Sequence, residues 1–141
     1  MNHLFVHVFN VVVITCPRLR TESHDVVVPK VQIACDLVKN GMARIAGVEP
    51  PKFEDDEVSL ADLQERIAKT ITFANSLKPE QIDGTEAKEI KFSIKDWNFE
   101  FVGEQYLLTW VTPNFYFHVT TAYDILRHKG VEIGKMDYLG G

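Results

Sequence analysis

Hydrophobic residues recur with helical spacing between Val31 and Ile45. They return every three or four positions and so share one face of a helix: Val31, Cys35, Val38, Met42 and Ile45. Pro29 suits the first turn of this helix, because proline lacks the N–H group that a first turn leaves unpaired. Gly47 is placed to end it. The pattern predicts a helix from Pro29 to just before Gly47.

A second apolar stripe follows a loop of prolines and acidic residues. Its members are Leu60, Leu63, Ile67, Ile71 and Ala74. Ser59 and Asp62 have the spacing of a capping box at the start of this helix. The polar residues between the stripe positions are predicted to face water: Asp62, Glu65, Arg66 and Lys69. Lys78-Pro79 ends the helix, because the residue before a proline avoids the helical region.

The hydrophobic period changes to two residues in the segment 88–102. If Lys95-Asp96 forms a two-residue turn, the apolar residues of two antiparallel strands pair on one face: Ile94 with Trp97, Phe92 with Phe99, and Ile90 with Phe101. The turn lacks the usual glycine, so a wider loop is the alternative. The pattern predicts a hairpin that covers an apolar surface.

Two further helices are predicted between Gly103 and Gly130. The first begins after Gly103 and ends at the Thr112-Pro113 step. The second runs from Asn114 to His128, with Thr112 able to cap it and Pro113 able to occupy its first turn. Its apolar face is formed by Phe115, Val119, Ala122 and Leu126. The four helices and the hairpin predict a mainly α fold.

The N-terminal run His3–Cys16 has no formal charge and is rich in β-branched residues. It is shorter than the roughly twenty residues that cross a bilayer as a helix. A signal peptide would carry Lys or Arg before the apolar run, and none is present. We expect a buried strand-like or helical segment. The chain is accordingly divided into a divergent apolar segment, 1–28, and a helical domain, 29–141.

Composition and charge limit the classes of partner. A chain of 141 residues is long enough for one domain with its own core. Its formal net charge is −5 and its Lys and Arg residues do not cluster, which argues against binding to nucleic acid. Cys16 and Cys35 lack disulfide or metal-ligand spacing, so a reducing compartment, the cytoplasm, is predicted. Cys35 belongs to the first apolar stripe and is interpreted as a small core residue.

His118 and His128 are the candidate chemical groups of the last helix. They are ten residues apart, or about 15 Å along a helix, so they cannot bind the same metal ion. His128 lies in the last turn, where it complements the exposed carbonyls. His118 lies in the inward sector and is either a core histidine with satisfied nitrogens or a general base or lone ligand. Asn114, one turn earlier, can face the same cavity.

Four segments carry a family resemblance: "VQIACDLVKNGMARIAGVEPPKFED", "DLQERIAKTI", "LKPEQIDGTE" and "YLLTWVTPNFYFHVTTAYDILRHKGVEIGKMDYLG". They closely resemble the family called domain of unknown function 1993, which belongs to the DinB-like superfamily. The resemblance implies an up-down four-helix bundle with the hairpin appended. Residues 1–28 do not resemble the family's first helix, so that helix is expected to be lost or altered, through a truncated or mis-spliced gene or through divergence. The apolar surface it would leave exposed predicts a homodimer.

The superfamily is described as metalloenzymes that bind their metal through three histidines, one on an early helix and an i, i+4 pair on the last. Counted back from the terminating glycine, His118 matches the second histidine of the pair, and Asn114 takes the place of the first. In the other register the partner of His118 is Ala122. The predicted first helix offers no histidine, only Gln32, Cys35 and Asp36. Amide oxygens bind zinc or nickel poorly, so the resemblance implies the scaffold without metal or cofactor.

Two functions from different classes fit these residues. The first is a small-molecule-binding module with a cavity between the first and last helices, lined by Gln32, Asn114, His118 and Tyr123. The second, by analogy of scaffold alone, is an isomerase, dehydratase or thiol-dependent transferase of small-molecule metabolism, with His118 as general base. A third alternative is a structural dimer without ligand. No membrane or nucleic-acid partner is predicted.

Overall fold

The computed structural model describes residues 21–139, and the side chains of residues 26–139. Its helices are α1 (Thr21–Ala46), α2 (Leu60–Ser76), α3 (Pro79–Ile82), α4 (Gly103–Gln105), α5 (Thr112–His128) and α6 (Lys135–Leu139), with a π-helical segment at Tyr106–Val111. The strands β1 (Glu89–Ile94) and β2 (Trp97–Val102) form one antiparallel hairpin. The predicted mainly helical class with an appended hairpin is confirmed. The prediction for His3–Cys16 lies outside the described residues.

α1 is already helical at Thr21, so the predicted start at Pro29 was wrong. Pro29 lies inside the helix. Three consecutive valines have low helix propensity, which favoured a later start. Burial outweighs that preference, because Val27 and Val28 belong to the core. His24 therefore lies on α1, and the expectation of a first helix without histidine was also wrong. The predicted boundary between residues 28 and 29 falls within α1, and the division into two segments stays a prediction.

The main core lies where α1 packs against α5 on one side and α2 on the other. Its members include the apolar residues predicted from helical spacing: Val31, Cys35, Val38, Leu63, Ile67, Phe115, Val119, Ala122 and Leu126. These residues are buried as the sequence pattern predicts, because each amphipathic helix buries its apolar stripe. Within residues 21–139, no helix combines the length and hydropathy that crossing a membrane would require.

Both halves of the predicted capping box are present at the start of α2. The Ser59 hydroxyl accepts a hydrogen bond from the Asp62 backbone N–H at 3.2 Å. The Asp62 carboxylate accepts one from the Ser59 backbone N–H at 2.8 Å. An Asp in place of the usual Glu therefore completes the box. The helix ends at Ser76, close to the predicted stop at Lys78-Pro79.

The prediction that Arg66 faces water was wrong, because the residue is only 1% exposed. Its guanidinium lies 2.9 Å from Asp36, 3.0 Å from Asp55 and 2.8 Å from Glu57, and it donates to the Glu54 carbonyl at 3.1 Å. These pairings offset the cost of removing a charge from water. We call this set of residues the Arg66 network. It attaches the loop before α2 to both α1 and α2.

The hairpin has the predicted register, with Ile94 opposite Trp97, Phe92 opposite Phe99 and Ile90 opposite Phe101. The turn is the two-residue Lys95-Asp96 turn, so the wider loop is not needed. Lys95 supplies the left-handed conformation that glycine usually provides, with φ of 52°. Local side-chain alternation was therefore sufficient to fix the pairing.

The hairpin covers apolar surface only at its base. The Phe92 ring lies 5.5 Å from Tyr106 and 5.7 Å from Trp110, both in edge-on contacts. These rings form a second core cluster beside the end of α1. Toward the turn the same face reaches solvent, and Ile94 is 46% and Trp97 73% exposed. The prediction that the hairpin covers an apolar surface is therefore correct for the half that is farther from the turn.

The predicted break at Thr112-Pro113 does not exist. Thr112 has helical angles, φ −62° and ψ −52°, and its N–H donates to the Leu107 carbonyl five residues back. Such π-helical bonding widens the turn before Pro113. The wider turn relieves the steric clash of the proline ring with the preceding turn and accommodates the missing N–H group. The Asn114 side-chain amide donates to the Trp110 carbonyl at 2.7 Å. The backbone is therefore helical from Gly103 to His128, and the sequence prediction failed by treating Pro113 as a helix start.

The two glycines predicted to end helices do so. Gly47 after α1 has φ of 72° and Gly130 after α5 has φ of 85°. The backbone N–H of Val131 donates to the Leu126 carbonyl at 3.1 Å, five residues back. This is the hydrogen bond of a Schellman motif, which needs a left-handed residue at the glycine position.

Gly103, at the start of α4, allows the backbone to approach the residue 85–86 turn closely. A Cβ atom added here would overlap the Thr85 carbonyl oxygen. We expect Gly103→Ala to lower the free energy of unfolding by about 1–3 kcal/mol, because the backbone must shift. Urea denaturation would measure this. Gly134→Ala is the control, since its Cβ would lie 3.6 Å from Asp137 and make an ordinary contact. Equal stability of the two variants would contradict the close approach.

Candidate functional site

His118 is a polar residue of α5 that carries a buried ring nitrogen. The residue is partly buried, and its Nδ1 atom is inaccessible to solvent without a hydrogen-bond partner among the described residues. The Phe117 ring lies edge-on at 5.2 Å. Lys30, on α1, contributes a positive charge that acts on the imidazole. The site thus combines an unpaired imidazole nitrogen, an aromatic ring and an ammonium group.

Two effects lower the pKa of His118 below its ordinary value of 6.5. Burial is the larger, because it disfavours the charged imidazolium, and the charge of Lys30 is the second. The ring is therefore neutral at neutral pH. A neutral imidazole has one donor and one acceptor nitrogen, so Nδ1 can either donate or accept according to the tautomer.

Asn114 and Tyr123, which were predicted to line the same cavity, have structural partners. The Asn114 amide donates to the Trp110 carbonyl within the helix. Tyr123 is 8% exposed, its ring lies edge-on to Tyr138 at 5.5 Å, and its hydroxyl accepts from Arg127 at 3.3 Å. These contacts hold both side chains in place. They connect neither residue to His118.

Gln32 lies on a different side of α1 from Lys30, which acts on His118. Its amide donates to Glu57 at 2.7 Å and so joins the Arg66 network. Residues two positions apart on a helix face different directions, so a helix that turns Lys30 toward His118 turns Gln32 away from it. The structure brings Lys30 to the candidate site, and sequence reasoning missed it. A helical wheel of α1 that extends before Pro29 places Lys30 on the same side of the helix as Val26 and Ile33. That shared side was the sequence signal for Lys30.

Cys35 is a core residue with a protonated thiol. It is 0% exposed. Burial raises the pKa of its thiol to about 12, against smaller lowering effects of a hydrogen bond to Thr70 and the charge of Arg66. Because the thiolate is the nucleophilic form, Cys35 cannot act as a nucleophile at neutral pH. This agrees with its interpretation as a small core residue.

The described residues do not fit a three-histidine metal site. Asn114, in the position of one ligand, is bonded to the backbone, and Ala122, the alternative, has no donor atom. Gln32 and Asp36 are bonded to Glu57 and Arg66. Among the residues whose side chains are described, no three His, Cys, Asp or Glu groups converge so as to hold a metal ion. His24 lies outside that set.

Comparison with known proteins agrees with this architecture. Residues 18–139 match the family described as domain of unknown function (DUF1993). A crystal structure of a DinB family member protein from Shewanella denitrificans is 42% identical in sequence, with a TM-score of 0.73, over 82% of this chain. The match spans 65% of that chain. No curated protein matches this sequence. The chain therefore belongs to the DUF1993 family and has its DinB-like fold, as the sequence resemblance implied.

Proposed function

We propose that this chain is a small-molecule-binding helical-bundle module that works without the three-histidine metal site of its superfamily, and that His118 contacts the ligand. The observation that carries the proposal is the buried, unpartnered Nδ1 of His118. A buried polar atom without a partner costs about 1–3 kcal/mol, and folded proteins retain few of them. The residue is only partly buried, so a rotation of the imidazole would expose Nδ1. A ligand hydrogen bond to Nδ1 would then remove that cost. Asn114 and Tyr123 hold their places on α5 through Trp110 and Arg127, and Gln32 belongs to the Arg66 network on the other side of α1.

A second candidate function is an enzyme of the isomerase, dehydratase or thiol-dependent transferase type with His118 as general base. The lowered pKa of the imidazole favours it, because the ring is neutral and able to accept a proton at neutral pH. A third is self-association of the chain into a homodimer. The exposed apolar residues of α1 and α5 favour this, with Val26 49%, Ile33 40% and Phe117 63% exposed.

His118→Gln is expected to weaken ligand binding about tenfold, the loss that accompanies about 1.4 kcal/mol of binding free energy. The physical reason is the loss of the hydrogen bond to Nδ1. Ligands would first be found by thermal shift against a library of small carboxylate, amide and alcohol metabolites, and affinities then measured by calorimetry. His128→Gln is the matched control, since His128 is an exposed residue of the same helix.

Two results would contradict the proposal. One is equal affinity of wild type and His118→Gln for every ligand found, and the other is the absence of any ligand in a library of this breadth.

Elemental analysis of protein purified without a histidine tag tests the metal part separately. We expect less than stoichiometric zinc and nickel, and one tightly bound ion per chain would overturn it. Sedimentation of the same sample would measure its mass in solution and so show whether the chain forms a homodimer.

A further inference from the structure

The loop before α2 is attached to the helices mainly by polar contacts. Among the described residues, neither core cluster includes a side chain from the segment 47–59. Val58 is 80% exposed. The Phe53 ring packs on two cations, with the Lys39 ammonium 4.4 Å and the Arg66 guanidinium 5.5 Å from its centroid. We call residues 52–58 the strap. Because apolar burial contributes little to its attachment, the position of the strap depends on the Arg66 network.

Glu57 is the buried anchor of the strap. Its side chain is 8% exposed, and its carboxylate accepts hydrogen bonds from Arg66 at 2.8 Å and from the Gln32 amide at 2.7 Å. The other strap contacts to Arg66 are weaker. Asp55 lies 3.0 Å from the guanidinium but is 65% exposed, so solvent screens the pair, and Glu54 contributes only its backbone carbonyl. Loss of the Glu57 charge would therefore weaken the attachment most.

Arg66 has a second partner that does not belong to the strap. The Asp36 carboxylate on α1 lies 2.9 Å from the guanidinium, and Lys39 lies 2.9 Å from the same oxygen atom. Both α1 and α2 contribute to the main core, so these pairs would remain if the strap moved away. The buried guanidinium would then still have a negative partner. The strap can therefore open at a smaller cost than unfolding of the bundle.

Protonation of Glu57 is the event that would release the strap. Burial raises the pKa of this carboxyl, but the hydrogen bonds from Arg66 and Gln32 bring that pKa below its ordinary value of 4.5. The charged carboxylate therefore stabilises the closed strap above pH 4.5, and this contribution is lost as the pH falls through the lowered pKa. Other ionisable groups lie around it on α1, the strap and α2: Cys35, Asp36, Lys39, Asp55 and Lys69.

We propose that the strap, residues 52–58, is an acid-sensitive element that opens separately from the helical bundle when the Glu57 carboxylate loses its charge. In the open form both core clusters and the Arg66–Asp36 pair remain. Gln32 and the Arg66 guanidinium lose the carboxylate that covers them. One buried charge holds the strap closed, and one proton releases it. The proposal involves no residue of the His118 site.

NMR relaxation of the backbone amides between pH 7 and pH 3 tests the acid response of the intact chain. The order parameters of the strap amides should fall from about 0.85 to below about 0.6, with a midpoint below pH 4.5. Those of α1 and α5 should stay at their neutral-pH values through this transition. A single transition shared by the strap and the helices would overturn the proposal, because the strap would then open only with the bundle. So would a strap that stays rigid at pH 3.

Glu57→Gln tests the role of the charge at pH 7, because it keeps the size of the side chain. Cleavage by chymotrypsin after Phe53, located by mass spectrometry, should be about tenfold faster than in wild type, as expected when a hydrogen bond loses its charge. Asp56→Asn is the matched control, since Asp56 is exposed and forms no ion pair with another described residue. It should be cleaved at the wild-type rate.

Two results with Glu57→Gln would contradict the proposal. One is cleavage after Phe53 at the rate of wild type and Asp56→Asn. The other is loss of helicity at pH 7, measured by circular dichroism, because the charge would then hold the bundle together and not the strap alone.

Discussion

Arg66→Ala is expected to lower the free energy of unfolding by about 3–5 kcal/mol. The reason is not only the lost ion pairs. Glu57, whose side chain is 8% exposed, and Asp36 would be left without the guanidinium that neutralises them. Burial raises the pKa of Glu57, but the hydrogen bonds from Arg66 and Gln32, with the charge of Arg66, together hold that pKa below its ordinary value. Urea denaturation followed by circular dichroism would measure the loss.

Lys69→Ala is the matched control for this experiment. Lys69 lies on the same helix, one turn from the Arg66 position, and pairs with Glu65 at 2.7 Å on the exposed surface. Exposed pairs contribute little to stability, so we expect no measurable change. If Arg66→Ala and Lys69→Ala unfold at the same urea concentration, Arg66 is not the buried centre of a charge network.

Tyr106→Ala is expected to destabilise the protein by about 3–5 kcal/mol, in the range seen for removal of a buried aromatic ring. Tyr106 is 1% exposed and contacts the rings of Phe92 and Phe101 at the base of the hairpin. Its hydroxyl accepts a hydrogen bond from Arg44 at 3.0 Å. Without the ring, the hairpin would lose the surface on which its base packs. Thermal unfolding and amide hydrogen exchange of β1 and β2 would show both effects.

Tyr106→Phe separates the hydroxyl from the ring. It keeps the packing and removes only the hydrogen bond to Arg44, so the expected loss is about 0.5–1.5 kcal/mol. Hydrogen exchange in β1 and β2 should then stay close to that of wild type. Rapid exchange of the hairpin in Tyr106→Phe, or wild-type stability of Tyr106→Ala, would contradict the packing described for the second core cluster.

Most of the fold could be predicted from local periodicity. The stripes that include Val31, Leu63 and Phe115 are buried, because a helix with one apolar face has one way to bury it. The hairpin register was correct down to the Ile94–Trp97 pair. Alternation fixes register because a slip of one residue would turn every side chain to the opposite face.

The wrong predictions came from residues whose local preferences did not decide their structure. Pro29 and Pro113 were assigned to helix starts from their local preference, yet both lie in continuous helical backbone, the second after a π-helical segment. Arg66 has the sequence spacing of a solvent-facing residue. It is buried because Asp36 on α1 and Glu57 on the preceding loop meet it there, and no feature of the α2 sequence encodes those positions.

The candidate site was predicted only in part, for the same reason. The inward position of His118 followed from the helical wheel of its own helix. The α1 residue that lies beside His118 depends on how α1 and α5 are rotated against each other. Hydrophobic periodicity does not specify that rotation precisely enough to identify one residue. Lys30 therefore takes the place expected for Gln32, whose amide bonds Glu57 instead.

The titration of His118 by NMR tests the central claim, that α5 presents one neutral, unpaired imidazole to a ligand. Imidazole resonances would be followed from pH 4 to pH 9, without and with a ligand found in the metabolite screen. We predict a pKa below 6.5 in the free protein, because burial and Lys30 both disfavour the charged ring, and a further change when ligand binds. A pKa at or above 6.5 that no ligand alters would contradict the claim.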